Sequence, residues 1–149
     1  MYEKTPAVKK SLRSLSLGKE LVFDAFEGSG GDMIITHASL EKAFELYRLE
    51  RVVKKLREPD KNSALIHIDG PEVVESSIDH ALVRVHIWMD NGWDAWGIGE
   101  TTTRTLKSSI DIGFPVKTAE RRALDNAIIR FLLLQTDGRR VYSDVEINN

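Results

Sequence analysis

The sequence predicts an α+β fold, an antiparallel β-sheet with a central hairpin packed against two helices as a β-β-β-α core, and three observations predict it. Asp90-Asn91-Gly92 separates two runs of β character. Two long segments, 39–57 and 117–135, repeat apolar residues at three- and four-residue steps. The strands between them follow one another directly, without the strand-helix alternation that builds a parallel sheet.

At 149 residues, 42% hydrophobic and 30% charged, the chain can bury one core of its own. The expected organisation is a basic N-terminal arm over 1–19 and a single domain over 20–149. No run approaches the roughly 18 consecutive apolar residues of a membrane span, and the first twenty residues lack the apolar stretch of a secretory signal. A soluble, cytoplasmic chain is therefore expected, in the host cytoplasm if a phage encodes it, with no membrane partner. The lack of cysteine excludes disulfides, thiolate metal sites and cysteine nucleophiles.

In chain order, residues 1–19 read as an arm or short helix, Glu20 to Phe26 as a strand, and the glycine-rich Glu27 to Asp32 as a loop. Its glycine spacing does not fit a phosphate-cradling GxGxxG turn. A helix is predicted over Ser39 to Arg57, with Ser39 as N-cap, Pro59 beyond its end and apolar positions from Leu40 to Leu56. Ala64 to Asp69 and Ile78 to Met89 follow as strands, the second alternating strictly in its latter half.

If Asn91 and Gly92 form a two-residue loop, Trp88 pairs with Ala95, His86 with Gly97 and Val85 with Ile98. Val85, Ile87, Met89, Trp96 and Ile98 then share a core face. Arg84, His86, Trp88 and Trp93 share the other with Ala95, Gly97 and Gly99. Glycines within a strand mark close approach by another body, here a helix, a second subunit or DNA. After a polar loop over Thr101 to Ser109 and a Gly113/Pro115 segment, a helix is predicted over Lys117 to Gln135, capped by Thr118 and ended by Asp137-Gly138. A last strand spans Arg140 to Ile147.

Formal net charge is −2, unevenly spread. Residues 60–100 sum to −6, whereas 101–140 sum to +4 through Arg104, Lys107, Lys117, Arg121, Arg122, Arg130, Arg139 and Arg140. A local basic face can bind phosphates although the whole chain is acidic, because screening confines each contact to about a Debye length.

Trp93 to Leu132 resembles the heart of the Rad-fifty-two superfamily of single-strand annealing proteins, phage members included. Gly97, Gly99 and Glu100 match its G-x-G-x-E strand, and Ala119, Glu120, Ala123, Ala127 and Arg130 match its A-E-x-x-A-x-x-x-A-x-x-R helix. The resemblance implies a ring- or filament-forming homo-oligomer that binds single-stranded DNA and anneals complementary strands in recombination or repair. It implies neither nucleotide hydrolysis nor a cofactor. Arg130 takes the place of the helix arginine that contacts the DNA backbone, while Ile129 stands where eukaryotic members have a second basic residue, and the region before Ile78 has no counterpart. The expected DNA-binding residues are Arg84, Trp88, Arg104, Lys107, Lys117, Arg121, Arg122 and Arg130.

Two other classes compete. A metal-dependent nuclease would draw on Asp69, Asp90, Asp94 and Glu100 near strand ends, but the hairpin register sets Asp90 and Asp94 apart. His37, His67, His80 and His86 show no short metal-ligand spacing and read as surface or edge residues. A structural or protein-binding oligomer would use the hydrophobic hairpin face and the basic helix as an interface instead.

Overall fold

Strict alternation turns the segment after the N-terminus into a strand. In the computed structural model, which describes residues 6–59, 64–102 and 115–146, Leu12 and Ser14 are buried between exposed neighbours, and Leu21, Phe23 and Ala25 face them. β1 (Val8–Ser14) and β2 (Lys19–Glu27) form a hairpin, from Val8↔Ala25 to Ser14↔Lys19. Over Val8–Ser14, the arm or short helix expected for 1–19 is this strand instead. Its inward residues, Leu12 and Ser14, recur at period two, not 3.6.

β3 (Met33–Ile35) pairs antiparallel with β2 and parallel with β7 (Val141–Ser143), closing a four-stranded sheet ordered β1-β2-β3-β7. β4 (Ile66–Ser76), β5 (His80–Met89) and β6 (Asp94–Thr102) form a second, antiparallel sheet in that order. With two helices, α1 (His37–Arg57) and α2 (Pro115–Leu132), the described residues make an α+β fold, its strands divided between two sheets rather than one.

α1 begins two residues earlier than expected. Thr36 is its N-cap, and the Thr36 hydroxyl accepts from the Ser39 backbone N–H. Leu40, Phe44 and Tyr47 form its buried face, with Phe44 edge-on to Phe131 of α2 at 6.0 Å. Five further apolar positions face solvent: Leu46, Leu49, Val52, Val53 and Leu56 are exposed, Leu56 by 77%. α1 therefore carries two apolar faces, one of them uncovered in a single chain.

α2 lies across the inner face of β5 and β6, where Ala119, Ala123 and Ala127 are fully buried. The fit is backbone to backbone. A Cβ added at Gly97 would stand 2.2 Å from both Ala123 O and Ala127 N, and one at Gly99 would stand 2.0 Å from Ala119 O. The glycine strip that the sequence left open to a helix, a subunit or DNA is thus sealed by a helix. The first sheet's hairpin completes the C-terminal end of α2, because Ser14 and Ser16 donate to Leu132 O and Phe131 O at 2.5 and 2.6 Å. These serines satisfy carbonyls that a helix end otherwise leaves without partners.

The hairpin register differs from expectation by one residue. Met89 N donates to Trp93 O, and the pairs are Trp88↔Asp94, His86↔Trp96 and Val85↔Gly97. The loop is the three residues Asp90-Asn91-Gly92, with only Gly92 at positive φ (+94°), where a two-residue I′ turn needs both residues there. Asp90 is held from outside the hairpin by Leu65 N and His67, and so belongs to the loop. A one-residue slip exchanges the faces of a whole strand. Gly97 and Gly99 consequently face the core, and Trp96 and Ile98 face outward.

Gly97→Ala and Gly99→Ala should each destabilise the fold by more than the roughly 3 kcal/mol of ordinary overpacking, since backbone, not a movable side chain, occupies the space. Thermal denaturation checks this; variants that melt with the parent would mean that α2 does not seat on β6.

Candidate nucleic-acid interface

Alternation along β5 sends Ala81, Val83, Val85, Ile87 and Met89 inward and leaves Leu82, Arg84, His86 and Trp88 on the outer face of the second sheet. β6 adds Asp94, Trp96, Ile98 and Glu100 to that face. Cross-strand neighbours stack there: His86 on Trp96 at 4.1 Å and 6°, and His67 on Trp88 at 4.1 Å and 26°. The Arg84 guanidinium sits 5.5 Å from the Trp96 ring centroid while donating to both Glu72 carboxylate oxygens at 3.0 and 3.1 Å. Trp88 donates through Nε1 to Asp69, whereas Trp96 is 45% and Ile98 55% exposed.

β6 is an edge strand, and α2 reaches around to cap it. Arg122 donates to Glu100 O at 3.0 Å, Asn126 to Ile98 O at 2.8 Å and Arg130 to Trp96 O at 3.1 Å. Four residues of helix advance about 6 Å, close to the roughly 6.7 Å of two strand residues, so one helix flank can serve alternate carbonyls of the edge. This ladder blunts the edge against pairing with another strand. It also leaves Trp96 bracketed, with Arg84 over its ring and exposed Arg130 on its carbonyl.

Carboxylates on or beside this face are tied to bases. Glu72 pairs with Arg84, Asp94 with His86, Asp90 with His67, and Glu75 and Glu100 both with His80. Hydrogen bonds that His80 donates to Glu75 and, more weakly, to Glu100 raise its pKa above the ordinary value. The Leu65 N–H, and then His67, hold the Asp90 carboxyl below its usual range. This face, acid-rich at neutral pH, loses net negative charge as His80 protonates.

The structure separates the predicted binding residues. Arg84 and Trp88 share the outer face, and Arg130 stands at its β6 border. Arg122 is corrected to a structural role: it is 4% exposed and donates to Val145 O and Glu100 O, so its charge does not face a polynucleotide. Lys117 and Arg121 are exposed on another flank of α2, where Arg121 acts on His37 and Glu41 of α1. Nine residues, two and a half turns, place Arg121 opposite Arg130, so the cations of α2 do not line one groove. Arg104 and Lys107 lie outside the described residues.

Trp96 and Ile98 were not expected on the site; a three-residue reading of the Asp90-Asn91-Gly92 loop would have found them. Asp69, Asp90, Asp94 and Glu100 do not converge into a cation site. Among the described residues, the one group of three potential ligands is His37, Glu41 and Asp125. No helix among the described residues is long and apolar enough to cross a membrane.

Arg122→Ala should lower stability by about 3 kcal/mol, because it removes a buried side chain and the partner of two backbone carbonyls, whereas Arg130→Ala should change it by less than about 1 kcal/mol. Urea denaturation of the two variants distinguishes a structural arginine from a surface one. Comparison of the chain with protein-family models, with curated proteins and with solved structures finds no match.

Proposed function

We propose that the chain binds single-stranded DNA along the β6 border of the second sheet and, as a homo-oligomer, brings complementary strands together without nucleotide hydrolysis. One observation carries the binding step: Trp96, an exposed aromatic ring, stands between Arg84 and Arg130. A base that displaces the Arg84 guanidinium from the ring gains a stacking surface whatever its sequence, and the flanking guanidiniums meet the phosphates. Ile98 and the stacked His86 extend that surface along the strand. The resemblance of Trp93 to Leu132 to single-strand annealing proteins supports the pairing step, with Arg130 as the shared backbone contact. The binding surface lies outside the glycine strip, since α2 occupies that strip.

Tryptophan fluorescence titrated with oligo-dT tests the reading. Trp96→Ala should weaken binding by roughly 5- to 100-fold, the worth of one stacked base. Arg130→Gln should weaken it and reduce the salt slope by about 0.7, one phosphate on a single strand. Affinity should rise as pH falls through the His80 titration, because each proton gained removes repulsion from the phosphates. Salt-independent binding, or full affinity in both variants, overturns the reading.

The uncovered face of α1 favours the oligomer, and would also serve a purely structural assembly. Leu49→Glu combined with Leu56→Glu should bring the mass measured by light scattering down to that of a 16.8 kDa protomer. Oligomers that form but bind no oligo-dT favour the structural alternative.

A further inference from the structure

Where α1 meets the middle of α2, three ligand-bearing side chains converge that the nucleic-acid reading does not use. His37 and Glu41 are one turn apart on α1, Asp125 comes from α2, and one ligand atom from each lies within 4.8 Å of the others. Asp125 is fully buried. Its Oδ2 meets His37 Nδ1 at 2.7 Å and accepts from the Ser143 hydroxyl, but its Oδ1 is buried and has no hydrogen-bond partner. A carboxylate oxygen shut away from water without a partner is costly, and protein donors here serve only its neighbour.

On the far side of the ring, His37 Nε2 stands 3.4 Å from Glu41 Oε2. That is close to the edge, about 3.3 Å, of a tetrahedron whose ligands lie roughly 2.0 to 2.1 Å from a metal ion. The Asp125–His37 bond is the carboxylate-imidazole contact that orients a metal-binding histidine. Two carboxylates outweigh the opposing charge of Arg121 and the positive end of the α1 dipole, and Glu45 adds negative potential at Glu41.

We propose that His37 Nε2 and Glu41 Oε2 hold a divalent metal ion, with Asp125 of α2 orienting the imidazole from its Nδ1 side, so that the ion stiffens the contact of the first turn of α1 with α2. One imidazole and one carboxylate, with water completing the shell, suit Zn²⁺ or Mn²⁺ over Mg²⁺ and Ca²⁺, which take all-oxygen shells. Tied in place by the His37 N–H to Asp144 and by Ser143 to Asp125, the site also joins β7 and the turn after it to both helices.

The test uses the full chain after treatment with a chelator, titrated with ZnCl₂ and with MnCl₂ by calorimetry and followed by melting temperature. One equivalent should bind and raise the melting temperature, as any ligand of the native state does, while MgCl₂ at the same concentration leaves it unchanged. Asp125→Asn risks the fold, so Glu41→Gln carries the test. Its metal-free melting temperature should match the parent's, and its Zn²⁺ affinity should fall by at least the roughly tenfold that losing even an outer partner costs. Two results overturn the site: no saturable binding to the parent, or undiminished binding by Glu41→Gln, which would place the ion on surface pairs such as His86 with Asp94.

Discussion

Contact between the backbone of α2 and the backbone of β6 is the constraint on which the rest of this structure depends. Gly97 and Gly99 on the strand and Ala119, Ala123 and Ala127 on the helix remove the side chains that would hold the two apart. At that separation, Arg122, Asn126 and Arg130 reach past the edge of the sheet to its carbonyls. A helix seated one side chain further away would leave that edge open. The same seating brings Asp125, on another flank of α2, to His37 at the start of α1.

The outer face of the sheet follows from the inner one. Because the glycines must lie beneath α2, period-two alternation sends Trp96 and Ile98 outward beside Arg84 and His86. An exposed tryptophan between two arginines is thus the far side of a small-residue packing surface, and sequence changes that disturb one disturb the other. His80, bonded to Glu75 and Glu100, makes the charge of the face depend on pH, and Arg130 serves both the edge and the border of the face.

Much of the fold was legible in the sequence. The helix stripes of Phe44 and Ala123 and the alternation from Ala81 to Met89 each express a local rule that tertiary contacts did not override. The Asn-Gly pair marked the hairpin, but contacts to Asp90 from Leu65 and His67 lengthened its loop. The short strands were harder. β3 and β7 are three residues each, too few for a period to show, and their parallel pairing joins residues more than a hundred positions apart. β1 was hidden because Lys9, Lys10, Ser11 and Arg13 mask the inward Leu12, and because the second inward residue, Ser14, is itself polar. The candidate site was legible in part: Arg84, Trp88 and Arg130 carried over, whereas Trp96 was placed in the core because one loop residue decides which way all of β6 faces.

By itself the sequence determined the α+β class, the two long helices, the hairpin and the small-residue pattern on strand and helix, since each is written in local spacing. Only the tertiary structure decided what the glycines meet, which arginines are bound to backbone and which face solvent, and that His37, Glu41 and Asp125 come together. The physical reason is that spacing along a chain specifies which residues share a face, while the partner of that face is chosen by packing between segments that the sequence keeps far apart.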